Sequence, residues 1–172
     1  MLLGSHALVV ALQLQLLRVV DWLPFFVTRK SMSNILRSFS SLYFATLLMV
    51  LASGVLTTYL GLRLAADSAA QIWIGGMMSA YYLGLVAGSK IGHRLIARVG
   101  HIRAFVASAG ITTASALGHA LIDDLAIWLV LRLMVGMGMM CMYMVLESWL
   151  NEQADSKNRG TVFASYMIVS YL

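Results

Sequence analysis

Four stretches of the chain run without a charged residue for roughly the length of a membrane crossing: Ser38 to Leu62, Ser68 to Ser89, Ala104 to Ile122, and Leu125 to Leu146, the last broken only by Arg132. None alternates apolar and polar residues with a sustained period of two, so the pattern predicts helices and not barrel strands. Each is close to the ~20 residues a helix needs to cross the hydrocarbon core. Spans are therefore expected at about 41–62, 72–92, 104–122 and 125–147. A fifth apolar segment starts at 160 and reaches Leu172, too short to cross unless it continues. The polar positions between these runs also follow a pattern. The hairpin from Gly92 to Arg103, with Lys90 just before it, carries Arg94, Arg98 and Arg103 and no acid, whereas the turn at Asp123 and Asp124 carries no base. The hairpin from Arg63 to Gln71 holds one Arg and one Asp, and Arg29, Lys30 and Arg37 precede the first span. Basic residues concentrate in cytoplasmic loops, so the first span is expected to be entered from the cytoplasm. The loops near Arg94 and between Asn151 and Arg159 then lie on the same side.

Residues 1–40 fit this scheme less simply. The apolar run Leu8 to Leu17 lacks a basic lead and a clear cleavage site, and Arg18, Asp21 and Pro24 interrupt it before spanning length. Two readings stand for this extension: a helix lying on the membrane surface, or an upstream stretch with the working start at Met32. Residues 41–172 form a partial helical half-bundle.

Composition points the same way. Hydrophobic residues make up 60% of the chain, charged residues 11%, and mean hydropathy is +0.84, against ~45–50% apolar in soluble domains. The expected fold class is an all-α polytopic membrane helix bundle with the lipid bilayer as its surroundings. A net charge of +5 and a pI near 9.7 would suggest nucleic acid in a soluble protein. Here the excess sits in short loops beside spans, so it reports topology and no nucleic-acid partner is expected. The single cysteine, Cys141, lies inside the fourth span, which rules out an intrachain disulfide and reads as packing.

Several spacings carry a mechanism. Gly76, Ala80, Gly84, Gly88 and Gly92 recur every four residues in the second span. Such a stripe of small residues lets a neighbouring backbone approach closely, as a fixed contact or as a surface that slides. Tyr81 and Tyr82 sit beside it, facing a cavity or packing as aromatics. In the fourth span, Arg132 precedes Gly136 and Gly138. A charge about two turns inside a bilayer costs several kcal/mol unless it meets protein, water or an acid. Arg132 therefore lines a polar path or orders the bundle core, or else snorkels outward towards Asp124. His119 reads as an interfacial polar residue, with proton handling as the alternative. Glu147, Glu152 and Asp155 face the basic hairpin across the cytoplasmic side, as a charge latch or as solvated charges. There is no zinc-type cluster, phosphate loop or nucleophile paired with a base, so no cofactor, no metal and no enzymatic activity is expected.

Taken in order, these motifs resemble the N-terminal part of the major facilitator superfamily. The resemblance rests on Ser79-Ala80-Tyr81-Tyr82-Leu83-Gly84, on Arg94-Leu95-Ile96-Ala97-Arg98-Val99-Gly100-His101, on Arg132, Gly136 and Gly138, and on Glu147-Ser148-Trp149-Leu150-Asn151-Glu152 followed by Asn158-Arg159-Gly160. It covers about Ser41 to Leu172 and is similar to a poorly characterised bacterial branch. Against the family's loop after the second helix, Arg98, Gly100 and Arg103 match. Ala97 replaces the usual Asp, His93 stands at the first Gly position, and His101 replaces a base. The lost acid weakens the usual latch, although Glu147 or Glu152 can pair with Arg98 or Arg103. Glu152, Arg159 and Gly160 are similar to the family's acid-to-Arg-Gly signature. The resemblance implies twelve helices in two six-helix halves, a small-molecule substrate bound near the midplane and alternating access in a bacterial inner membrane. With four spans and the start of a fifth, this chain is expected to need missing C-terminal helices or a partner chain, and not to transport alone. The alternative from another class is a short structural or regulatory membrane protein that packs its glycine stripe against a partner.

Overall fold

A computed structural model describes residues 32–154 and 159–170, and every element among them is an α-helix: α1 Met32–Ala66, α2 Gln71–Val99, α3 His101–Leu121, α4 Leu125–Gln153 and α5 Arg159–Ser170. Met1 to Val27 and Asp155 lie outside the described residues, as do the side chains of Arg159 and Gly160.

The helices outrun the apolar stretches that announced them. The expected hairpin from Gly92 to Arg103 is helix throughout except at Gly100, because α2 continues through Arg94 and Arg98 and α3 begins at His101. Charge ends a hydrophobic run but does not end a helix. Arg, Leu, Ile and Ala all propagate one well. The chain turns at Gly100 alone, where φ is +82° and ψ is 166°, a conformation that only glycine adopts without steric cost. The Gly100 N–H closes α2 on the Ile96 carbonyl at 2.9 Å, and the Gly100 carbonyl accepts from Ala104 N–H at 3.1 Å.

The other two tight turns use different chemistry. After α1, Ser68 takes a positive φ of 52°, while Ala69 N–H bonds to the Leu64 carbonyl and Ser68 N–H to the Ala65 carbonyl. That bond pair is a Schellman ending. Before α4, the Asp124 carboxylate accepts from Ala126 N–H at 2.8 Å and Ile127 N–H at 3.0 Å, which satisfies two donors left open at a helix start.

Among the described residues, three helices are long and apolar enough to cross a membrane: α1 from Ser40, α3 and α4. α2 is equally long, but its five glycines, serines and tyrosines dilute its hydropathy. Those residues buy close contact instead. α2 and α3 both pack principally on α4, and α1 touches α4 and α5 more lightly. The core accordingly lies around α4, with Trp128, Arg132, Val135, Met139, Met142, Val145, Leu146 and Leu150 buried.

Gly136 and Gly138 explain how one helix serves two neighbours. They lie about 200° apart around the helix axis, so they face different ways. A Cβ on Gly136 would collide with the Tyr81 carbonyl and Gly84 Cα of α2, and one on Gly138 with Thr112 and the Ser108 carbonyl of α3. The α2 stripe answers in kind. A Cβ on Gly84 would collide with the Leu133 carbonyl, one on Gly88 would lie 2.7 Å from the Met137 carbonyl, and one on Gly92 would lie 2.9 Å from Met144 Sδ. Gly76 sits against Leu129, and Ala80 is buried. Cys141 is buried in the same seam and points its thiol at the Gly88 carbonyl.

Candidate functional site

Arg132 is 1% exposed and sits where α1, α2 and α4 converge. Its Nη2 donates to the Thr57 hydroxyl of α1, which itself donates to the Ser53 carbonyl at 2.7 Å. Its guanidinium carbon lies 4.7 Å from the centre of the Tyr81 ring on α2, a cation–π contact that strengthens when desolvated. Nη1 is buried without a partner among the described residues. Arg132 thus points into the bundle and not outward to Asp124, whose carboxylate is engaged in capping α4. Tyr82 meets Tyr81 edge-on at 5.7 Å but is 60% exposed, on the outer side of α2. The two tyrosines therefore part company.

His119 is fully buried, which corrects the expectation of an interfacial residue. Its Nδ1 lies 2.7 Å from the Ser115 carbonyl, so Nδ1 carries the proton, and Nε2 has no partner among the described residues. Its ring centre lies 5.7 Å from that of Trp128. The polar position at this end of the bundle is held instead by Arg63. Its guanidinium donates to Tyr59 Oη at 3.3 Å and to the His119 carbonyl at 3.4 Å, pairs with Asp123, and lies 4.9 Å over the Trp128 ring. Trp128 Nε1 in turn donates to the Ile122 carbonyl at 2.5 Å. The end of α1 is thereby tied to the α3–α4 turn.

At the opposite end the charges are distributed unevenly. Glu152 lies 3.7 Å from His101 Nε2, an ion pair when that imidazole is protonated, and among the described residues it makes no ion pair with Arg98 or Arg103. The reason is helical: with α3 beginning at His101, that side chain sits on the first turn beside the end of α4. Glu147 accepts a 3.3 Å hydrogen bond from the Tyr166 hydroxyl of α5. Arg94, Arg98 and Arg103 are exposed and pair with no acid among the described residues. No group of three or more His, Cys, Asp or Glu that could hold a metal occurs among those residues.

Thr57, Arg63, Tyr59 and Trp128 were not singled out by sequence. Thr57 and Arg132 are 75 positions apart and Arg63 and Asp123 are 60 apart, so neither pairing can be read before the helices are packed. One local signal was available in the four-residue spacing of Tyr59 and Arg63.

The profile of the family described as "Sugar (and other) transporter" matches residues 22–170. The chain belongs to this transporter family. An uncharacterised MFS-type transporter, YcaD, of Shigella flexneri serotype 5b is 33% identical over 141 residues, covering 82% of this chain and 37% of that protein. Its counterpart in Escherichia coli O139:H28 is 32% identical over the same extent. The chain therefore spans little more than a third of the length of the curated relatives it matches. No solved structure gives a significant match. The family is one of multi-pass membrane transporters of the major facilitator type.

Within that family, the residues around Arg132 are the part of the site that the fold brings together: Arg132, Tyr81, Thr57 and the Gly84–Gly136 crossing directly beside them. Tyr82 and the three arginines near Gly100 stand apart from it.

Proposed function

We propose that these helices form the N-terminal part of a secondary transporter that moves a small solute across a bacterial inner membrane. In this reading α2 is a fourth crossing helix beside α1, α3 and α4, and the N-terminal end of α1 lies in the cytoplasm. The observation that carries the proposal is Arg132, a buried guanidinium held by α1, α2 and α4 with one nitrogen unpartnered among the described residues. In an apolar bundle such a charge costs several kcal/mol, and replacing buried charges with well-packed apolar residues often leaves a protein as stable or more so. In a static scaffold its use is confined to ordering the helices around it. A transporter that alternates between states has a further use for it, because a polar group with spare hydrogen-bonding capacity can exchange partners as the path opens.

Enclosing a central path takes more helices than these, so transport belongs to an assembly that includes further helices or a partner chain. The test is solute uptake or efflux in vesicles holding that assembly. Arg132→Ala should reduce flux at least tenfold while membrane insertion is unchanged, and undiminished flux would remove Arg132 from the path. The packing-protein alternative has less to stand on, because the glycine stripe of α2 is already pressed against α4 of the same chain.

A further inference from the structure

Among the described residues, two buried side-chain polar atoms are left without a hydrogen-bond partner, His119 Nε2 and Arg132 Nη1. The two are complementary. With Nδ1–H committed to the Ser115 carbonyl, Nε2 of the neutral imidazole is a bare acceptor, and every guanidinium nitrogen is a donor. The imidazole stays neutral because nothing facing it would balance a charge. Arg63 of α1 bonds its carbonyl and lies over Trp128, the charge of Arg132 on α4 acts on its ring, and Asp123 of the adjoining turn is paired with Arg63. The fold also aims the two groups at each other. α3 and α4 run in opposite directions from the turn between Leu121 and Leu125, and side chains lean towards the N-terminus of their own helix. His119 therefore leans away from this turn and Arg132 leans towards it. Arg132 stands seven residues past Leu125, and His119 two residues before Leu121, a difference in depth of about 7 Å that the opposite leans close. Trp128, one turn before Arg132 on the same face, packs beside both, with its ring centre 5.7 Å from that of His119. Both atoms are enclosed by the described helices, so helices added around the outside of the bundle do not reach them.

We propose that His119 is the second partner of Arg132: as α1 shifts and Thr57 withdraws, the guanidinium turns to donate to His119 Nε2. This rests on the reading of Arg132 as the group that exchanges partners during transport, and it makes His119 a positioning residue that acts through Arg132. One rotation satisfies both open atoms at once. In the described state the guanidinium is tied to α1 through the Thr57 hydroxyl. In the second state it is tied to α3, which packs closely on α4, and α1 is released. A buried charge keeps a partner throughout, which is what makes the exchange affordable in an apolar bundle. No proton is gained or lost in the step.

The test separates the two ring nitrogens. His119→Asn keeps a donor where Nδ1 stands and removes the acceptor where Nε2 stands, whereas His119→Gln reaches the Nε2 position with an amide oxygen. A hydrogen bond to a charged group favours the state that makes it by roughly 10- to 150-fold. In vesicles holding the whole assembly, His119→Asn should therefore lower solute flux by about tenfold or more, and His119→Gln should restore most of it, with membrane insertion equal in all. A histidine held only for its bond to Ser115 predicts the reverse order. In cysteine crosslinking between α1 and α4, Thr57→Val should shift the favoured pairs in the parent and leave them unshifted in the His119→Asn background, where the second partner is gone. The proposal is overturned by parental flux in His119→Asn, by a His119→Gln variant as impaired as His119→Asn, or by a Thr57→Val shift that survives His119→Asn. If Arg132→Ala abolishes flux while His119→Asn does not alter it, the exchange falls and the transport reading stands.

Discussion

α4 meets α2 and α1 by opposite means. Against α2 the contact is backbone on backbone: Gly84 and Gly136 leave no room for a Cβ on either helix, and Gly88 repeats the arrangement one turn on. Against α1 the contact is made by side chains reaching across, Arg132 to Thr57 and, through the adjoining turn, Asp123 to Arg63. The first kind of contact has many small van der Waals terms and one geometry. The second depends on a few polar bonds that can be exchanged without rebuilding either helix. α2 and α4 should therefore move as one body, while α1 is the helix free to shift against them.

The largest effect should come from forcing the tight seam apart. Gly136→Ala places a methyl group against the Tyr81 carbonyl, and the loss of stability in detergent unfolding should be about 3 kcal/mol or more; a loss below about 1 kcal/mol would show the two backbones to be looser than described. Next comes Thr57→Val, which leaves the buried Arg132 without its hydroxyl partner and should cost about 1–3 kcal/mol. The same variant should change which α1–α4 cysteine pairs crosslink, and should leave α2–α4 pairs untouched. Asp123→Asn breaks an ion pair whose acid is 79% exposed, so about 0.2–1 kcal/mol is expected, fading as salt rises. Smallest is Gly54→Ala in α1, where an added Cβ meets nothing within 4 Å. No loss should appear in thermal unfolding, and a loss comparable to that of Gly136→Ala would erase the contrast between the two faces.

Sequence carried the tight seam further than the loose one. Five small residues at four-residue spacing mark a helix contact whatever the partner, but that the answering surface is Gly136 on α4 is visible only once the helices are packed. The helix ends near Gly100 were misplaced because hydropathy measures compatibility with lipid, and Arg94 and Arg98 are excellent helix formers. His119 looked interfacial because it is a polar residue near the end of an apolar run, yet its Nδ1 is served by Ser115 one turn back and its carbonyl by Arg63. The polar links of α1 depend on residues 60 and 75 positions apart. Such pairings follow from how the helices are arranged, and no periodicity in a single segment encodes them.

From Arg132 to Gly138, α4 addresses three neighbours within two turns: the guanidinium reaches α1 and stacks on α2, Gly136 admits α2, and Gly138 admits α3. Adding or deleting one residue inside this stretch would rotate everything beyond it by about 100°, carrying each glycine away from the helix it admits. Length here is therefore as constrained as identity. Family members can be expected to vary freely in loop size while holding this heptapeptide gap-free, a register that an alignment of indels would reveal without reference to which residues were substituted.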